Sequence, residues 1–93
     1  MVQAQTQDLP LVVITGITGY LGMHVCKYFL EDGGFRVRGT TRPVYNVGKQ
    51  AQLRNAFGHE LFAKLEVVEC DIEVRSDVDR AMKGAVYIVH TAA

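Results

Sequence analysis

The sequence predicts an α/β fold: a βαβαβαβ chain wound on one parallel sheet, with strand order 3-2-1-4. Three observations predict it. Residues 11–14, Leu-Val-Val-Ile, are apolar on both faces, as a strand buried in a parallel sheet must be. Gly16, Gly19 and Gly22 follow at intervals of three, where that strand has to turn into a helix. Apolar runs and amphipathic stretches then alternate to the end, which calls for right-handed crossovers between parallel neighbours.

Each element has a local reason. Residues 1–8 are polar apart from Met1, Val2 and Ala4 and form a loose lead-in; the domain runs from 9 to 93. The first strand covers 11–15. The first helix runs from 19 to 31, with Leu21, Val25, Tyr28 and Phe29 on one stripe and Cys26 on the inward side, and Gly33 and Gly34 stop it. Residues 35–41 alternate Phe35 and Val37 against Arg36 and Arg38, a second strand that Pro43 ends, since proline has no N–H to donate. A helix over 49–57 places Leu53 and Phe57 on a shared face; Gly58 interrupts it, and Leu61 and Phe62 begin a further short turn. Residues 65–70 make a third strand. Ser76 reads as an N-cap with Asp79 closing a capping box, Val78 and Met82 face inward, and Gly84 ends that helix. Residues 85–89 form an apolar fourth strand.

Composition sets limits. A chain of 93 residues makes one small domain that buries roughly three-fifths of its unfolded surface. Its formal net charge of zero provides no global field for nucleic acid or an anionic membrane, so neither is an expected partner. Cys26 and Cys70 are isolated, without metal-like spacing, and fit thiols of a reducing, cytoplasmic compartment; a disulfide between them stays open. No apolar run reaches the roughly 18 residues a membrane span requires.

The chemistry concentrates after the first strand, in residues 15–22, TGITGYLG. A strand-to-helix turn leaves the first helical N–H groups unpaired at the positive end of the helix dipole, a setting for phosphate. Gly16 permits a tight turn, Gly19 a close approach of the backbone to a pyrophosphate, and Gly22 close packing of helix on sheet. Gly16, Thr18, Gly19, Tyr20, Leu21 and Gly22 are thus the expected cradle of a dinucleotide.

The end of the second strand selects which one. A carboxylate there favours the free ribose 2′-hydroxyl of NAD; a cation favours the 2′-phosphate of NADP. Between Arg36 and Lys64 the sole acid is Glu60, too far along, and Arg42 stands about 25 residues after Gly16. Arg42 is the expected phosphate reader, and NADP the expected cofactor. Strand alternation points Arg38 away. Lys49 either adds a second charge on the same phosphate or lies exposed. Asp71, after the third strand, either accepts from the adenine amino group or caps a turn. Thr91, Ala92 and Ala93 are small enough for the chain to pass beneath ribose and phosphates. His90, at the fourth strand's end, reads first as a packing residue. Tyr45 and Lys49 have the Tyr-x-x-x-Lys spacing of a proton-relay pair, but beside the adenine end, so they are not that pair.

Taken together, TGITGYLG from Thr15, VRGTTRP from Val37, CDIE from Cys70 and VYIVHTAA from Val86 resemble the opening segments of extended short-chain dehydrogenases/reductases. The nearest likeness is to the dihydroflavonol reductase and cinnamoyl-CoA reductase type, and it extends from Leu9 onward. The resemblance implies half of a Rossmann-type doubly wound sheet. It implies Arg42 and Lys49 on the adenosine phosphate, Asp71 and Ile72 against adenine, and residues 91–93 under the nicotinamide half. Such proteins are three times as long or more, with the catalytic Ser or Thr, Tyr and Lys and the substrate region further on. The chain is therefore expected to be an N-terminal segment, inactive by itself, whose complete form transfers hydride to a carbonyl. Two alternatives stand beside it: an NADP-binding sensor or regulator without turnover, and an epimerase or dehydratase holding NAD, against which Arg42 speaks. The uncharged fourth strand offers an open edge through which copies would associate.

Overall fold

A computed structural model describes residues 8–42 and 47–91, with Val47 and Lys49 described by backbone alone. Residues 1–7 of the lead-in predicted over 1–8, the strand stop at Pro43, and Tyr45, Ala92 and Ala93 lie outside the described residues.

The chain runs β1 (Leu11–Thr15), α1 (Tyr20–Asp32), β2 (Arg36–Thr41), α2 (Val47–Phe57), α3 (His59–Ala63), β3 (Leu65–Glu69), α4 (Arg75–Met82) and β4 (Tyr87–His90). The four strands form one sheet in the order β3-β2-β1-β4, every neighbouring pair parallel. This is the α/β arrangement the alternation predicts. The chain travels outward from β1 to β3, then crosses back to lay β4 on the other side of β1. The strand order therefore reverses between β1 and β4, where open α/β sheets bind ligands.

All five residues of β1 are buried, since it is covered on both faces. Val12 and Ile14 pack with Val37 of β2 and with Cys26 and Leu30 of α1 and Leu53 and Phe57 of α2. The other face belongs to α4. Arg38 of β2 points there, donating from its guanidinium to the carbonyls of Ala81 and Lys83 at 2.8 Å each, and pairing with Glu66 at 2.8 Å. Alternation along β2 thus sends Val37 to one helical layer and Arg38 to the other.

Two local readings are corrected. The buried line of α1 is Gly22, Cys26 and Leu30. Leu21 and Tyr28 are exposed, while Val25 and Phe29 are partly buried on the flank. The apolar stripe spans more of the helix than the contact can use, and Gly22, lacking a side chain, marks where helix and sheet come closest. Secondly, α4 is not capped by Ser76. Val74 is its N-cap, Val74 O accepting from the N–H groups of Asp77 and Val78, so Ser76 is already helical and no capping box forms with Asp79. The turn after β3 closes from the N–H of Val74 to Asp71 O at 2.9 Å, which starts the helix early.

Gly33, at φ 80°, ends α1, and Gly58, at φ 83°, separates α2 from α3. Leu53 and Phe57 share the buried face of α2, as their spacing predicts. At β4, Tyr87 and Ile88 are 53% and 54% exposed, because among the described residues no strand pairs with its outer edge, although the Tyr87 ring meets that of Phe35 edge-on at 6.0 Å.

Candidate functional site

The C-terminal ends of all four strands lie along one edge of the sheet, and Gly16, Thr18 and Gly19, Arg42, Asp71 and Ile72, and Thr91 follow those ends. At its centre is the loop from Gly16 to Gly19. Gly16 has a positive φ of 72°, a conformation that side chains resist. The N–H of Gly19 donates to Gly16 O at 3.1 Å, and the N–H of Met23 to Gly19 O at 2.9 Å, so the turn passes directly into α1.

Each glycine has its own reason. A Cβ at Gly22 would lie 2.1 Å from Gly16 O and 2.7 Å from Thr91 Oγ1, so nothing larger fits. At Gly19 a Cβ would meet Gly16 O at 3.5 Å, with space beyond, and Gly19 is exposed. That open side is where a pyrophosphate would approach. Gly19 is the N-cap of α1 and no side chain caps the helix. The amides of Tyr20, Leu21 and Gly22 begin the helix, where no earlier helical carbonyl exists to receive them. Donors, dipole and open space fit a phosphate group.

The loop is fastened from both sides. On the β2 side, Thr40 O accepts from the N–H groups of Gly16 and Ile17 at 3.1 Å each, and Thr40 Oγ1 accepts from that of Gly16 at 3.3 Å. On the β4 side, the N–H of Thr91 donates to Thr15 Oγ1 at 3.0 Å, the Thr91 hydroxyl donates to Thr15 O, and Thr15 Oγ1 is 2.8 Å from His90 Nδ1. Thr15 and Thr40 are both buried. Sequence reasoning missed this role for them. Threonines in strands are common, and only the parallel register, Thr15 beside His90 and Ile14 beside Gly39, brings these hydroxyls to the loop.

Arg42 is exposed immediately after β2, two residues beyond the Thr40 carbonyl that holds the loop, and has no ion-pair partner among the described residues. Arg38, by contrast, is committed to α4. The Lys49 side chain lies outside what is described, though its backbone is in the first turn of α2. Asp71 follows β3, and its Oδ1 accepts from the N–H of Glu73 at 2.9 Å, a turn-capping bond. Ile72 beside it is 37% exposed. Tyr20 is the most exposed large apolar residue of the loop region, its ring edge-on to His24 at 4.5 Å. Thr18 is half-buried. His90 has its ring exposed and its Nδ1 bound to Thr15, so it serves in joining β4 to β1.

The two cysteines are free and buried. Burial pushes the Cys26 thiol up to about 12, which keeps it protonated and inert. Cys70 is also raised, by burial and then by the carboxylates of Asp77 and Asp71, against which Arg80 acts. Neither is a nucleophile at neutral pH. Among the described residues no group of His, Cys, Asp and Glu is placed to hold a metal ion, and no helix is long and apolar enough to cross a membrane.

Comparison with known proteins gives this geometry a lineage. The model of the NAD dependent epimerase/dehydratase family matches residues 12–93. The chain is 34% identical over 85 residues to aldehyde reductase 2 of Sporidiobolus salmonicolor, covering 89% of this chain and 23% of that protein. Two solved structures share the fold. Yeast methylglyoxal/isovaleraldehyde reductase, complexed with NADPH, superposes with a TM-score of 0.68 at 24% identity over 89% of this chain and 27% of its own. The UDP-glucuronic acid 4-epimerase of Bacillus cereus, complexed with NAD, gives 0.67 at 20% identity, covering 89% and 26%. The chain spans about a quarter or less of the length of the curated relatives it matches.

Proposed function

The chain belongs to the NAD dependent epimerase/dehydratase family, and on that premise we propose that it is the dinucleotide-holding N-terminal segment of an NADP(H)-dependent reductase. The observation that carries this reading is Arg42: an exposed guanidinium at the end of β2, beside the phosphate loop. No carboxylate follows until Glu60. A 2′-phosphate placed there would accept two parallel N–H bonds from it. The reductase among the sequence relatives supports the reductase part of this reading, and fold neighbours complexed with NADPH and with NAD support a nicotinamide dinucleotide.

In this reading the amides of Tyr20, Leu21 and Gly22 hold the pyrophosphate, and Gly16 and Gly19 give it room. Arg42, with Lys49, takes the adenosine phosphate. Asp71 and Ile72 border the adenine, Asp71 also holding the turn that carries them. Residues 91–93 run beneath the nicotinamide half. When bound, the cofactor supplies hydride for a carbonyl substrate. The proton donor and substrate pocket belong to parts of the protein outside these residues. The two free thiols fit a reducing compartment, and the cytoplasm is the location this reading assigns. Self-association through β4 belongs to the same proposal.

The test is titration calorimetry with NADPH and NADH on the native chain and on Arg42→Ala. Tighter NADPH binding that Arg42→Ala abolishes selectively sustains the reading. Equal affinity for both, unchanged by the substitution, refutes it and favours the epimerase reading with NAD.

A further inference from the structure

Gly39 is buried in the middle of β2, and its glycine has no conformational excuse, since its φ is not among the positive ones. The reason is space. A Cβ there would lie 2.5 Å from Ile17 Cδ1, 2.7 Å from Cγ2 and 3.1 Å from Cγ1. Ile17 is itself a member of the phosphate loop, between Gly16 and Thr18, yet it is fully buried in the core with Val12, Ile14, Cys26 and Leu30. The loop therefore sends one side chain down into the sheet, and the missing side chain of Gly39 is the hole that receives it. The next residue, Thr40, takes the N–H groups of Gly16 and Ile17. Two residues later stands Arg42.

We infer that Gly39 is a positioning residue for the dinucleotide: by seating Ile17, it fixes how deep the phosphate loop lies relative to Arg42. This rests on the reading above, in which loop and Arg42 hold one ligand. A ligand that touches both must match their separation, and that separation is set by one contact beneath the loop. Packed interiors do not absorb an added methyl without displacing something. The displaced group is Ile17, because Gly39 is paired on both sides, to Ile14 of β1 and Val67 of β3, and cannot retreat.

The experiment compares native chain, Gly39→Ala and the double variant Gly39→Ala/Ile17→Val, which removes the Cδ1 methyl nearest the new Cβ. Three probes are used: NADPH, which would touch loop and Arg42; 2′-AMP, which carries the 2′-phosphate without a pyrophosphate; and hydrogen exchange of the Gly16 and Ile17 amides, which requires no ligand. Gly39→Ala should weaken NADPH at least tenfold and 2′-AMP less than threefold, with the two amides exchanging at least tenfold faster. The double variant should recover part of the NADPH loss. NADPH affinity within threefold of native overturns the inference. So does equal loss of both ligands with faster exchange throughout the sheet, since Gly39 would then be a general packing glycine. If Gly39→Ala does not fold, the double variant decides: an NADPH loss larger than its 2′-AMP loss, with faster exchange confined to the Gly16 and Ile17 amides, sustains the inference, and any other result overturns it. A native chain that binds no NADPH would refute the proposed function instead, and the exchange of Gly16 and Ile17 would still report on the contact.

Discussion

At the residue scale, the proposed preference for NADPH rests on Arg42. A charge-assisted hydrogen bond contributes about 1.5–3 kcal/mol, and each factor of ten in affinity corresponds to about 1.4 kcal/mol. Arg42→Ala should therefore lower NADPH affinity roughly ten- to a hundredfold and leave NADH affinity nearly unchanged, as measured by calorimetry. Gly22 makes a different kind of contribution. With Gly16 O only 2.1 Å from the position of its missing Cβ, Gly22→Ala must lift α1 from the loop. Overpacking of this kind costs about 1–3 kcal/mol, which a urea midpoint would register. Cys26 gives a pH dependence. Its thiol is raised in the folded chain from 9.0 to about 12, so the folded state retains a proton that the unfolded chain releases. Stability from this group is complete below pH 9 and declines as pH rises toward 12. Urea midpoints taken across that range should fall less steeply for Cys26→Ala than for the native chain; parallel curves would contradict the assignment.

Among elements, the attachment of α4 to the sheet depends heavily on Arg38. Its guanidinium reaches the carbonyls of Ala81 and Lys83 at the C-terminal end of the helix, where the dipole also favours a cation. Arg38→Met retains the buried stem and removes the donors. It should destabilise the chain by about 1.5–3 kcal/mol. Hydrogen exchange should show the loss first in α4 and only weakly in β1; uniform acceleration across the sheet would mean that Arg38 does not act through the helix. The type and order of the elements were legible from sequence because period-two and period-3.6 patterns persist through local noise. The cap of α4 was not, because Asp71 and the turn it starts compete with Ser76 for the same residues. The inward face of α1 lies one step from its hydropathy stripe, since Leu21 and Tyr28 outrank Gly22 in hydropathy while the contact centres on Gly22, whose close packing the glycine spacing predicts.

At the scale of the molecule, the β4 edge stands out. Val86, Tyr87 and Ile88 are exposed there, with no charge, proline or bulge among them. Edges of this kind template pairing with another strand. The 93-residue chain in isolation is expected to sediment as a dimer or larger at high micromolar concentration, and Ile88→Lys should shift it toward monomer. A native chain that remains monomeric with native circular dichroism would rule this out.

The sequence by itself determined the α/β class, the sheet order and the glycine loop between β1 and α1, because each depends on local pattern and on the handedness of crossovers. Tertiary structure decided what holds that loop in place. Thr15 of β1, Gly39 and Thr40 of β2 and Thr91 just after β4 lie up to 76 residues apart, and their meeting is fixed by parallel register. No spacing along the chain encodes such a contact. It arises only when β1 is laid between β2 and β4, and a loop residue, Ile17, finds the one place in β2 where a side chain is missing.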